Sequence, residues 1–175
     1  MELAIHNFKC WGDKTFSFNV NGITLISGKS GVGKTSIIEA IIFALFGSGR
    51  KITRYGQKHC MVNLKVPINN GYLVIQRTKC PNRLTLQRTT TCGDVYDEYY
   101  EDATAQSVID AYYGQQYQSI GYLSQSSINS FVLMGPQDKL GFLENLIFQN
   151  TDIRPIKQKV QQLIKERLQE QQQII

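Results

Sequence analysis

The chain has 175 residues and a mass of 19.9 kDa, the length of one globular domain or of one domain with an appendage. With 42% hydrophobic and 19% charged residues it can fill a core, which excludes a disordered acidic tail, a collagen-like repeat and a disulfide-dense mini-protein. No apolar run approaches the roughly 18–20 residues needed to span a bilayer, and the opening MELAIHNFKC lacks the basic-then-apolar order of a secretory signal. Cys10, Cys60, Cys80 and Cys92 show no CxxC spacing, which points to reduced thiols in an intracellular protein.

In chain order, Glu2 to Phe8 alternates weakly and predicts a short strand, and Lys14 to Val20 alternates more clearly through Phe16, Phe18 and Val20. Asn21-Gly22 is a turn dipeptide, so Phe18 to Ile26 is expected to be two tightly joined strands, the second being the buried run Ile23 to Ile26. The dense apolar series from Ser36 to Phe46 predicts a helix buried nearly all round, ended by Gly47. Cys60 to Val66, Tyr72 to Arg77 and Leu84 to Arg88 alternate as strands, with turns at Asn69-Asn70-Gly71 and Pro81-Asn82. The polar stretch 89–102 reads as a loop, Ala103 to Tyr113 as a helix closed by Gly114, and Ser119 to Leu123 as a strand. Asp138 to Phe148 has one apolar face, and Ile156, Val160, Leu163, Ile164 and Leu168 recur at three- and four-residue spacing. That last stripe suits either a plain amphipathic helix or the start of a coiled coil.

The chemistry is concentrated in Gly28 to Thr35, which satisfies G-x-x-x-x-G-K-[ST] between an expected strand and an expected helix. Glycines let successive backbone N–H groups turn toward a phosphate chain, and the helix N-terminus adds its own free N–H groups. Ser30, Gly31, Val32, Gly33, Lys34, Thr35 and Ser36 are therefore the nucleotide-binding candidates. Lys34 would bridge the β- and γ-phosphates, and the Thr35 hydroxyl would complete a Mg²⁺ shell. For Ser36 the alternatives are reach to the α-phosphate and capping of the helix. The metal-holding carboxylate that normally follows four apolar residues is not found: Asp94, Asp97 and Glu98 lie in a polar stretch, and Asp110 lies in an expected helix.

The order NFKCWGDKTFSFNVNGITLISGKSGVGKTSIIEAIIFALFG resembles the N-terminal half of an SMC-like ATPase head, and more narrowly the SbcC and Rad-fifty family. The resemblance implies an α/β fold of the P-loop type with an antiparallel β-lobe at about 47–90, a lobe over 1–150, and the first turns of a coiled coil over 151–175. It implies that Gln125, in Tyr122-Leu123-Ser124-Gln125, is the family's glutamine that contacts Mg²⁺ and the attacking water, so Gln125 and Lys34 are the catalytic candidates. Lys9 matches a position lying along the nucleotide, the alternative being an ordinary surface lysine. In the family the second carboxylate motif, the signature motif and the switch histidine lie in a C-terminal half beyond the coil. None occurs in this sequence, so the expectation is a half-head, either a piece or one partner of a split protein, inactive alone. ATP, Mg²⁺, that other half, a second head, an Mre-type nuclease and DNA are the implied partners in double-strand break repair, at the nucleus, nucleoid or viral replication site.

The net charge of +5 is uneven: residues 47–90 hold nine lysines and arginines and no carboxylate, and residues 91–150 hold eight carboxylates and one lysine. The basic block is expected to bind DNA without sequence preference, led by Arg50, Lys51, Arg54 and Lys58; the alternatives are a solvated face or contacts to the other half. The competing functional reading is an SMC-type chromosome organiser. An ABC transporter subunit is disfavoured by the 91 residues separating Lys34 from Gln125, and a small-molecule kinase by the lack of arginines over 89–150.

Overall fold

The computed structural model describes residues 1–90, 96–114, 117, 121–122, 134–147 and 154–172. It divides into two compact units, 1–115 and 116–175.

The first unit is built on one six-stranded antiparallel sheet. Its strands are β1 (Glu2–His6), β2 (Lys14–Ser17), β3 (Cys60–Ile68), β4 (Gly71–Lys79), β5 (Arg83–Thr90) and β6 (Tyr96–Glu101), in the order β2-β1-β3-β4-β5-β6. The Asn69-Asn70 turn sets the register of β3 and β4 by pairing Ile68 with Gly71. That register aligns one apolar row across all six strands: Phe16, Leu3, Leu64, Ile75, Leu86 and Tyr100. Side chains two residues apart share a face, so this row and its neighbours form one buried surface while Asn63, Lys65, Gln76 and Gln87 face the other way.

Two helices cover the apolar face. Helix α1 (Lys34–Phe46) buries Ile37, Ala40, Phe43, Ala44 and Leu45, and α2 (Asp102–Tyr113) buries Ala105 and Ile109. Phe8, fully buried after β1, meets the Phe43 ring at a centroid distance of 5.7 Å. Both helices end on the expected glycines. Gly47 adopts φ 68° and its N–H reaches the Phe43 carbonyl at 2.8 Å, and the Gly114 N–H reaches the Asp110 carbonyl at 2.7 Å.

Three expectations are corrected here. Ile23 to Ile26 is not a strand: Ile23 is 101% exposed and Leu25 86% exposed, and no described strand pairs with them. A four-residue apolar strand is stable only between neighbours that complete its hydrogen bonds, and the antiparallel sheet does not extend to it. Helix α1 is not buried all round, since Ile38, Ile41 and Ile42 are only half-buried. The polar stretch 89–102 contains β6, which pairs with β5 and sets Tyr100 against the core.

In the second unit, α3 (Pro136–Ile147) and α4 (Arg154–Gln172) fall where the apolar periodicity places them. On α4, Ile156, Val160, Leu163, Ile164 and Leu168 are all exposed. The expected strand Ser119 to Leu123 falls largely outside the described residues, as does Gln125. Among the described residues no helix is long and apolar enough to cross a membrane.

Candidate functional site

The loop from Gly28 to Gly33 leads directly into α1, as the motif requires. Gly28, Gly31 and Gly33 take φ values of 155°, 82° and 95°. Such positive φ values are rarely adopted by residues with side chains, and they allow a loop to turn its N–H groups toward an anion. No acidic residue stands in the first turn of α1 and no side chain caps it. Its free N–H groups and the positive end of its dipole are therefore offered outward, the arrangement that attracts phosphate.

Lys34 crosses the mouth of this loop. Its ammonium donates to the carbonyls of Gly28 and Lys29, each at 2.8 Å. The cation is thus held against the loop backbone, and a bound phosphate oxygen would compete with these two carbonyls for its protons. Thr35 is exposed beside it, and the Ser36 hydroxyl lies 3.9 Å from the Cys10 sulfur. The residues present fit a triphosphate: a glycine-rich backbone, one ammonium and an exposed hydroxyl at a helix N-terminus. Among the described residues no group of three His, Cys, Asp or Glu side chains could hold a metal by itself. Thr35 is then the described candidate metal ligand, Gln125 lying outside the described residues.

The turn after β1 is built onto this loop. Asn7 N–H donates to Gly12 and Trp11 N–H donates to Phe8, which closes residues 7–12 into a tight loop with Asn7 and Lys9 at positive φ. From it the Trp11 indole N–H donates to the Gly33 carbonyl at 3.2 Å. The Lys9 ammonium pairs with the Glu39 carboxylate on α1. Lys9, Cys10 and Trp11 thus meet Glu39, Ser36 and Gly33 in antiparallel order along the start of α1. A phosphate contact by Lys9 would require it to leave Glu39. A side chain on Gly33 would overlap Cys10 Sγ and approach the Trp11 ring to 3.0 Å, so glycine is required there by packing as well as by φ.

The nine cations of residues 47–90 do not form one surface. Arg77 lies on the apolar face of β4, in register with Val62 and Leu84. Its guanidinium donates to the carbonyls of Ala44 and Leu45 at 3.0 and 3.3 Å and to the Gln106 side chain. Arg77 thereby satisfies the C-terminal carbonyls of α1 and ties that helix to α2. Burial lowers its pKa from the usual arginine value, opposed by Asp110 and Asp102, and its charge persists. Arg88 pairs with Glu98 at 3.4 Å, and Lys65 lies over the Tyr72 ring at 4.5 Å on the opposite sheet face. Arg50, Lys51, Arg54 and Lys58 are exposed together in the segment between α1 and β3. Arg77 is thus the cation that departs from the expected basic surface, and a charged residue at an inward position of an alternating strand is its signal in the sequence.

The AAA domain family model matches residues 2–175. An uncharacterized protein of Invertebrate iridescent virus 6 is 39% identical over 85% of this chain and 12% of its own length. A second, from Invertebrate iridescent virus 3, is 30% identical over 91% of this chain and 17% of its own. The DNA double-strand break repair Rad50 ATPase of Methanocaldococcus jannaschii is 38% identical over 43% of this chain and 8% of its own length. The SbcC component of the SbcCD nuclease of Staphylococcus saprophyticus is 36% identical over 44% and 9% respectively. The chain therefore spans less than a fifth of the length of these relatives.

Proposed function

We propose, since the chain belongs to the AAA domain family, that residues 28–36 bind the triphosphate of ATP and that the chain is the ATP-binding half of an SMC-like ATPase head. The observation that carries this is the Lys34 ammonium, 2.8 Å from both Gly28 and Lys29 carbonyls, over a glycine loop that opens onto the N-terminus of α1. In that reading the loop amides and Lys34 neutralise the β- and γ-phosphates. Mg²⁺, when bound, would supply further charge compensation, with Thr35 and Gln125 as its protein contacts.

Hydrolysis needs a carboxylate and a signature element from a C-terminal half-head, in cis or in trans, and the chain alone is then inactive. The exposed apolar segment Ile23 to Ile26 supports this, because it is a strand sequence without a sheet; the other half would supply its neighbours. Similarity to DNA double-strand break repair ATPases and to a nuclease component supports a role in such repair beside an Mre-type nuclease, as a dimer of heads acting at DNA. The exposed stripe on α4 suits the first turns of a coiled coil. Arg50, Lys51, Arg54 and Lys58 would hold the DNA backbone without reading its sequence.

Titration calorimetry of ATP–Mg²⁺ into the protein with both half-heads assembled tests the reading. Uptake by the wild type and its loss in Lys34→Ala are expected. No uptake, or equal uptake by both, removes it.

A further inference from the structure

The segment joining α1 to β3 carries a feature that neither the nucleotide loop nor the sheet uses. Gln57 N–H donates to the Arg54 carbonyl at 3.0 Å, and Gly56 between them has φ 80°. This is a four-residue turn with glycine at its third position, where positive φ is required. Tyr55, at the second position, is 101% exposed. A tyrosine ring wholly in water forgoes the burial that would stabilise it by about 2 kcal/mol.

The turn is nonetheless firmly rooted. Arg54 N–H donates to the Asn7 carbonyl at 2.8 Å, Lys9 N–H donates to Ile52 at 2.7 Å, and Ile52 is buried. The ring is therefore presented by a fixed backbone and not by a loose tail. Arg50, Lys51, Arg54 and Lys58 flank it in the chain, all exposed, and none of them has a carboxylate partner among the described residues. An exposed aromatic face on a segment of exposed cations matches the chemistry of unpaired nucleotides, whose bases stack while their phosphates are neutralised. Duplex DNA offers the phosphates but keeps its base faces stacked on one another.

We infer that Tyr55 is a stacking platform for an unpaired base, and that this turn with its four cations prefers single-stranded nucleic acid over duplex. The inference rests on the reading of those cations as a phosphate-binding surface, and adds the base-stacking element and the strand preference.

The test measures fluorescence anisotropy of the intact protein at low salt with two probes: an oligothymidylate of about 16 nucleotides and a blunt duplex of the same length. Tyr55→Ala is expected to weaken single-strand binding roughly five- to a hundred-fold, with duplex binding held within about twofold. Tyr55→Phe and Tyr55→Trp should restore it, because the face and not the hydroxyl is used. Unchanged single-strand affinity in Tyr55→Ala, or equal loss for both probes, overturns the inference. The joint variant Arg50→Glu, Lys51→Glu, Arg54→Glu and Lys58→Glu separates the two levels. Loss on both probes sustains the phosphate surface whatever Tyr55 does, and no loss on either removes surface and platform together.

Discussion

Trp11 holds Gly33: its indole N–H donates to the Gly33 carbonyl at 3.2 Å, and its ring stands 3.0 Å from where a side chain there would begin. The residue that precedes α1 is thus fixed by a turn 22 positions earlier in the chain. Replacing Trp11 with Phe keeps a ring and removes the donor. A neutral hydrogen bond contributes about 0.5–1.5 kcal/mol, so ATP–Mg²⁺ affinity should fall roughly two- to tenfold, read by calorimetry. Unaltered affinity in a folded Trp11→Phe protein would show that the loop keeps its shape without the indole.

Gly33→Ala combines two faults, a left-handed backbone at φ 95° and overlap with Cys10 Sγ. The first alone costs about 1–2 kcal/mol, so melting should drop by several degrees. Adding Cys10→Ala removes the overlap and leaves the backbone strain. A double-mutant cycle should therefore show partial recovery, measured by thermal unfolding. Simple additivity would mean that the sulfur is not what the new methyl meets.

Arg77→Met fills much the same space and leaves the Ala44 carbonyl and the amide oxygen of Gln106 without their donor, while the Leu45 carbonyl keeps the Gln106 amide at 3.1 Å. Unsatisfied buried groups cost about 1–3 kcal/mol each, so a loss of at least ~2 kcal/mol in denaturant unfolding is expected. DNA affinity of the folded fraction should not change, because this cation faces the helices. A fall in DNA binding without a fall in stability would reverse that assignment.

Alkaline stability follows from Cys60. Burial pushes its thiol above the ordinary value of 9.0, outweighing the Thr53 hydrogen bond and the Lys79 charge that oppose it. An acid whose pKa is raised by folding stays protonated in the folded state while the unfolded chain ionises. Its stabilising share is therefore complete below pH 9 and is lost as pH climbs through the folded-state value. Tyr99 and Tyr100 act in the same direction, each raised by its hydrogen bond to Glu101 or Glu98. Unfolding measured from about pH 8 to about pH 10.5 should show a decline that is shallower in Cys60→Val. Parallel curves would assign the decline to other groups.

Most of the sheet was legible in the sequence because β3, β4 and β5 alternate cleanly and are separated by Asn69-Asn70 and Pro81-Asn82. The glycine-rich loop leading into α1 was legible because its motif is local, eight consecutive residues from Gly28 to Thr35. β6 was hidden by Asp97, Glu98 and Glu101, which give an edge strand the look of a loop, although its tyrosines have high strand propensity. Contacts between distant positions are not written in local patterns: nothing marks Trp11 for Gly33, and the inward position of Arg77 on β4 marks it as unusual without naming the end of α1 as its partner. Ile23 to Ile26 misled in the other direction. Its apolar run satisfied the rule for a buried strand, and the rule presumes neighbours.

That same segment governs how the chain can be handled. Ile23 and Leu25 stand in water with their main-chain amides unladdered, next to Val20, which is also exposed. Short greasy stretches of this kind recruit copies of themselves edge to edge and are cut readily by proteases. The isolated 175-residue chain is therefore expected to precipitate as its concentration rises and to be nicked first between Asn19 and Ile26. Co-expression with the proposed C-terminal half-head should cure both defects at once.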